Sequence, residues 1–152
     1  MFMVLFGHQG QMSHYSTVQT EFADRALLVK ALNAVGFETV EVHDQPTGLY
    51  GYQGDLRSQK AHVIVRRKFV GVASNDLGFA KRSDGKFEAI ISDYDKAKLN
   101  DKWLVRLKTE YAKLAIADFA KAQGFELSKA TNTTNGDTRY VMKKRIFVAS
   151  EI

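Results

Sequence analysis

The spacing of apolar residues changes several times along this chain, and each change predicts an element. Residues 14–22 are rich in Tyr, Thr and Val, which favours a strand. Asp24 then stands where an N-cap belongs, and Leu27, Leu28, Ala31, Leu32 and Val35 recur at helical spacing until Gly36 closes the segment. Residues 37–43 alternate, Val40 and Val42 against Thr39, Glu41 and His43, as a second strand would. Pro46 opens a predicted loop running to about Gln59. Residues 61–73 and 77–82 read as strands, Ser83-Asp84-Gly85 as a hairpin turn, and residues 86–92 as the returning strand. Between residues 99 and 123 the positions Trp103, Leu104, Leu107, Tyr111, Leu114, Ala115, Phe119 and Ala122 make a long amphipathic helix stopped by Gly124. Two last strands, 125–131 and 138–148, are joined through Thr133-Thr134-Asn135-Gly136, whose Asn-Gly pair signals a hairpin.

One internal echo organises the pattern. Ala34-Val35-Gly36-Phe37-Glu38 and Ala122-Gln123-Gly124-Phe125-Glu126 both read A-x-G-F-E at a helix-to-strand junction. A glycine C-cap followed by an aromatic is a common physical solution, so the echo does not require duplication. Two strand–helix–strand halves predict an α+β fold, with two helices on one face of a mostly antiparallel sheet, ferredoxin-like with extra hairpin strands. The length and the 45% hydrophobic content suit a single domain over residues 12–152, with residues 1–11 as an N-terminal extension.

Composition narrows the chemistry. There is no cysteine, which excludes disulfides, thiolate nucleophiles and Cys-ligated metals and suits a reducing compartment such as the cytoplasm. No apolar run approaches the roughly 20 residues a membrane helix needs, so a soluble protein is expected. The net charge of +5 is concentrated. Arg57, Lys60, Arg66, Arg67, Lys68, Lys81 and Arg82 face only Asp76 in their stretch, whereas residues 14–44 carry Glu21, Asp24, Glu38, Glu41 and Asp44 against Arg25 and Lys30. Such asymmetry bears on partners and makes an anionic one plausible.

Three features are candidates for a site. The stretch GLYGYQGDLR, residues 48–57, spaces Gly48, Gly51 and Gly54 by three, but matches neither GxxxxGK[ST] nor GxGxxG, and strands rather than a helix are predicted to follow. A GxxG phosphate clamp joins two helices, so the stretch is expected to be a structural loop with Tyr50 and Tyr52 partly packed. The second feature is the basic strand. Alternation over residues 61–70 places Val63, Val65, Arg67 and Phe69 on one face and His62, Ile64, Arg66, Lys68 and Val70 on the other. Such a strand is either an edge protected by its charges or, with Lys81, Arg82, Phe69 and Phe79, a sheet surface that neutralises phosphates and stacks bases. The third is His14, His43 and His62, which no metal-binding spacing links, so no metal or other cofactor is expected.

Met12-Ser13-His14-Tyr15-Ser16, Gly51-Tyr52-Gln53-Gly54, Asp76-Leu77-Gly78-Phe79 and Ala122-Gln123-Gly124-Phe125 resemble, in that order, a conserved hypothetical family encoded in cyanobacteria, red-algal plastids, other bacteria and some phages. The resemblance covers roughly residues 12–145. That family is a domain of unknown function, so it carries over no catalytic or binding residue. It implies a start near Met12, and residues 66–82 are more basic here than in its pattern.

The expected function is a small non-enzymatic basic module contacting nucleic acid. Arg57, Lys60, Arg66, Arg67, Lys68, Lys81 and Arg82 would meet phosphates while Tyr50, Tyr52 or Phe79 stack. The alternative is an accessory or adaptor protein that binds another protein or itself through sheet edges after Gln11 or at residues 147–152. A hydrolase of an anionic substrate stands third, because it needs a pocket where histidines and carboxylates converge.

Overall fold

The computed structural model describes residues 14–132, 134 and 138–144. The proposed extension 1–11, the start near Met12, the Asn135-Gly136 turn and the edge at 147–152 lie outside the described residues. The chain divides after Tyr111 into two units.

In the first unit, strand β1 (Tyr15–Gln19) leads to helix α1 (Arg25–Ala34), and β2 (Glu41–Tyr50) and β3 (Leu56–Val65) form a long hairpin. A single helical turn, α2 (Arg67–Val70), connects to β4 (Leu77–Lys81) and β5 (Phe87–Ser92), and α3 (Asp101–Gln123) follows a 3-10 turn at Tyr94–Ala97. Helix α1 begins and ends as expected. The Asp24 carboxylate accepts the Leu27 N–H at 3.1 Å, and Gly36, at φ 113°, lets Phe37 N–H reach back to the Leu32 carbonyl at 2.9 Å. At the start of α3 the Asn100 side chain accepts the Trp103 N–H at 3.0 Å.

The five strands form one sheet in the order β1-β5-β4-β3-β2, with every pairing antiparallel. The α+β class therefore holds. The ferredoxin-like detail is not recovered, because that plan sets strands of its two strand–helix–strand units side by side in parallel. Here β1 and β2, which flank α1, lie at opposite edges of a meander.

Register explains the core. Val63, Phe79, Ala89 and Val18 stand in one row across four strands, and the buried Val65, Leu77, Phe87 and Ile91 share that face. Phe22 packs on Phe79 at 6.4 Å between ring centres, Tyr111 of α3 packs on Phe22 at 4.6 Å, and Phe37 meets Trp103 at 6.0 Å. The apolar stripe Leu27, Leu28, Ala31 and Leu32 of α1, and Trp103, Leu104 and Leu107 of α3, are buried.

The opposite face is apolar as well. Leu49, Ala61, Ile64 and Ile90 form a buried cluster with Tyr15 and Ala80 packed against it. The far end of the β2–β3 hairpin curls over this face: Tyr50 hydrogen-bonds Asp76 at the head of β4, and the Arg57 guanidinium lies 5.5 Å from the ring of Tyr15 on edge strand β1. The expectation of a sheet face left open for phosphates is corrected here.

Two boundaries also differ from the sequence reading. The predicted loop 46–59 is mostly strand, because β2 continues through Pro46 to Tyr50, and the turn is confined to Gly51–Asp55. Pro46 is tolerated because β2 is an edge strand whose register shifts between Val42 and Thr47. The predicted strand 61–73 ends at Val65, and Arg67–Val70 is helical. The Arg67 N–H is taken by the Asp76 carboxylate at 2.6 Å, which starts the turn with a side chain from further along the chain.

In the second unit, the later part of α3 ends at Gly124, φ 79°, and β6 (Phe125–Asn132) pairs antiparallel with β7 (Thr138–Lys144) from Phe125↔Lys144 to Asn132↔Thr138. Both glycines of the A-x-G-F-E echo thus stop a helix in the left-handed region.

Candidate functional site

The glycine turn, the α2 turn and the head of β4 meet at Asp76. Its side chain is 1% exposed. It accepts the Tyr50 N–H at 2.7 Å, the Arg67 N–H at 2.6 Å and Arg66 Nη1 at 2.7 Å. Its backbone N–H donates to the Tyr50 carbonyl at 3.0 Å, and its carbonyl accepts the Tyr15 hydroxyl at 2.8 Å. Burial, and then the Asp76 charge, push the Tyr15 hydroxyl far above the ordinary phenol range, so it stays a proton donor.

Arg66 is a bridge. Besides Asp76 it donates from Nε and Nη2 to both oxygens of Glu41, each at 2.8 Å, and from Nη1 to the Gly48 carbonyl at 3.1 Å. These bonds, those to Glu41 foremost, raise the guanidinium further above its already high value and hold the Glu41 carboxyl below the usual carboxylate range. His43 Nε2 lies 2.9 Å from Glu41 Oε1, the oxygen that also accepts Arg66 Nη2.

Next to Asp76, Asn75 makes a parallel connection. Its backbone N–H donates to Asp95 at 2.9 Å, its amide donates to Ser92 Oγ at 2.9 Å, and its amide oxygen accepts the Tyr52 N–H at 3.0 Å. Ser92 Oγ donates to Asp95 at 2.7 Å, and all three side chains are buried. The two neighbours therefore hold the two tyrosines of the turn by their main chain; the Tyr50 ring is 41% exposed with the Arg66 guanidinium 5.7 Å from its centre, and the Tyr52 ring is 50% exposed.

Two hollows flank this support. One, of about 270 Å³, is lined by Tyr50, Gly54, Arg66, Arg67, Lys68 and Asp76. The other, of about 310 Å³, is lined by Tyr52, Ala73, Asn75 and Tyr94.

The expected phosphate contacts are not gathered onto one plane. Arg57 pairs with Asp55, Arg66 with Glu41 and Asp76, and Arg82 with Asp84. Among the described residues no carboxylate lies within ion-pair distance of Lys60, Arg67, Lys68 or Lys81. Of these four, Arg67 and Lys68 share the first hollow, whereas Lys81 stands four residues along β4 from Leu77, the partner of Val65, or about 13 Å away. Phe79 is fully buried against Phe22 and cannot stack on a base. The histidines do not converge either: His43 and His62 lie on neighbouring strands β2 and β3, while His14 precedes β1 at the other edge. Among the described residues no three His, Asp or Glu side chains group as metal ligands, and no helix is long and apolar enough to cross a membrane.

Sequence reasoning missed the supporting residues Asp76, Asn75, Asp95, Ser92 and Glu41. Asp76 had a signal: it is the single carboxylate in the basic stretch. The others are polar residues whose bonds at Asn75 and Arg66 span 17 to 25 positions, so local pattern does not show that they belong to this support.

The chain is similar to the "Uncharacterized protein ycf35" of Cyanophora paradoxa, at 27% identity over 134 residues that cover 88% of this chain and 98% of that protein. No solved structure matches it. A family model described as "Protein of unknown function (DUF1257)" matches residues 31–141, a span that holds the Gly51–Gly54 turn, the Asp76 support and both hollows, and the chain belongs to that family.

Proposed function

We propose that the chain is a small non-enzymatic binding module for single-stranded nucleic acid, and that its anion-receiving part is the hollow at Arg67 and Lys68 rather than a broad basic sheet. The carrying observation is the division of labour inside that hollow. Arg66 spends its charge on Glu41 and Asp76, while Arg67 and Lys68 line the same 270 Å³ space with no carboxylate partner among the described residues. An anion there meets Arg67 and Lys68, whose ammonium rests 5.0 Å from the Phe69 ring and keeps its charge, beside a Tyr50 ring that is 41% exposed and carries the Arg66 guanidinium 5.7 Å from its centre. Phosphate neutralisation next to an aromatic platform is the chemistry that single strands use.

Titration of a labelled single-stranded oligonucleotide at increasing salt tests this. Two neutralised phosphates predict a slope of about −1.4 in log affinity against log salt. Charge reversal by Arg67→Glu with Lys68→Glu should abolish binding, and Arg82→Glu, whose arginine is already paired with Asp84, should leave it intact. Absence of binding at low salt refutes the reading.

A partner-protein reading has its own support in the exposed apolar side chains of Leu56, Phe69 and Val72. Light scattering and co-purification separate it from the first.

A further inference from the structure

We infer that the second hollow, between Tyr52 and Tyr94, is a slot for one unpaired base of the same strand. This rests on the reading of the Arg67–Lys68 hollow as a phosphate site.

The slot has the composition that stacking requires. Its walls include two phenol rings, Tyr52 and Tyr94, which are 50% and 62% exposed, and its volume of about 310 Å³ suits a planar ring. Exposed aromatic side chains set around a concavity offer π-faces to any base. The remaining lining is Ala73, which leaves room, and Asn75, whose amide is already committed to Ser92, Asp95 and the Tyr52 N–H. With the Asn75 amide occupied, the slot selects flat rings through its tyrosines.

The slot is also built to keep its shape. Tyr52 is held through its backbone N–H at 3.0 Å by Asn75 and through its hydroxyl at 3.1 Å by Gln53 Nε2. Tyr94 opens the 3-10 turn Tyr94–Ala97, whose next residue is the buried Asp95 that fixes Asn75. One network therefore fixes the backbone at Tyr52 and beside Tyr94 before a ligand arrives, which lowers the ordering cost of binding.

The two hollows are neighbours by construction. Tyr50 and Asp76 line the first, Tyr52 and Asn75 line the second, and Tyr50 and Asp76 are joined across the divide by main-chain and side-chain bonds. Residues two positions apart in a turn stand at most about 7 Å from each other, within the reach from a phosphate to the base it carries. A strand that sets a phosphate on Arg67 and Lys68 can place a base against Tyr52 and Tyr94.

The test compares a twelve-nucleotide oligothymidylate with an abasic oligomer of the same length, using the full chain and the variants Tyr94→Ala, Tyr94→Phe and Tyr52→Ala. The slot predicts that oligothymidylate binds the parent about tenfold more tightly than the abasic strand, that either alanine variant removes this difference, and that Tyr94→Phe keeps it. Both tyrosines are exposed, so the alanine variants should keep the parent's circular dichroism and melting. Equal binding of the two oligomers by the parent, with no effect of Tyr94→Ala, overturns the base slot while leaving the phosphate site standing. If neither oligomer binds, the phosphate site fails and the slot falls with it.

Discussion

Arg66 Nη1 and the Asp76 carboxylate lie 2.7 Å apart, with the carboxylate withdrawn from solvent. From the end of β3 and the head of β4 these two side chains reach β2 and α2, because Arg66 also binds Glu41 and Gly48 while Asp76 takes the N–H groups of Tyr50 and Arg67. Removing the acid leaves a cation and two N–H donors without their acceptor. Asp76→Ala should therefore lower unfolding stability by about 3–5 kcal/mol. Asp76→Asn, which keeps the shape and loses the charge, should cost less. Urea midpoints measure both, and a midpoint within error of the parent for Asp76→Ala would show that the hub is dispensable.

Two glycines predict opposite causes of damage. A Cβ on Gly78 would stand 2.7 Å from the Ala61 Cβ and 3.0 Å from Leu49 Cδ1, inside the cluster under the curled hairpin. Gly78→Ala should cost about 1–3 kcal/mol through overpacking, and pairing it with Ala61→Gly, which removes the nearest clashing atom, should recover part of the loss. Gly54 has open space around its Cβ position but sits at φ 81°. Gly54→Ala should cost about 1 kcal/mol through backbone strain alone, and Gly54→Asn less. Thermal melts of the four variants discriminate between the two mechanisms.

Acid should weaken the fold in two separable stages. His62 is held below its ordinary value of 6.5, first by burial and then by the charges of Arg25 and Lys81, and its Nδ1 accepts the Lys81 N–H at 3.0 Å. A depressed imidazole contributes stability that is complete above pH 6.5 and is lost as pH falls through the folded value. Glu41, depressed below 4.5 chiefly by its bonds from Arg66, gives a second loss of the same sign at lower pH. Chemical unfolding from pH 8 to pH 3 should show both limbs. His62→Gln should erase the upper one and Glu41→Gln the lower.

The entry to α1 is fixed from two sides. The Asp24 side chain caps Leu27, and the Tyr111 hydroxyl accepts the N–H groups of Ala23 and Asp24 at 3.1 and 3.0 Å. Asp24→Ala and Tyr111→Phe should each cost about 1 kcal/mol. Stability measured for the double variant should show a penalty different from the sum, since both residues hold one backbone segment.

Elements governed by local periodicity were legible: α1 with its Asp24 cap and Gly36 stop, α3, the β4–β5 hairpin at Asp84-Gly85, and the β6–β7 pair. What failed was governed by distant partners. Residues 66–70 leave the strand because Asp76 captures the Arg67 N–H, and β2 runs through Pro46 because no neighbour needs an N–H at that edge. The site was half legible. Arg67, Lys68, Tyr50 and Tyr52 stood out by composition, but charge counting treated Arg66 and Arg57 as equally available. Only the fold shows that Glu41, Asp55 and Asp76 consume them. Tyr94 drew no notice, because it joins Tyr52 in lining one hollow only through the fold, which no periodicity encodes.

The ladder order has a temporal consequence. Strands β2 to β5 are consecutive in the chain and zip through short connections, but β1 finds its place only against β5, where Ser16 bonds Asp93 across 77 positions. On a ribosome β1 is made before the other four strands of its sheet and seated after them, so until Ser92 has emerged the nascent protein displays an unpaired Tyr-Ser-Thr-Val segment. That interval is where chaperone capture or mispairing between growing chains would concentrate.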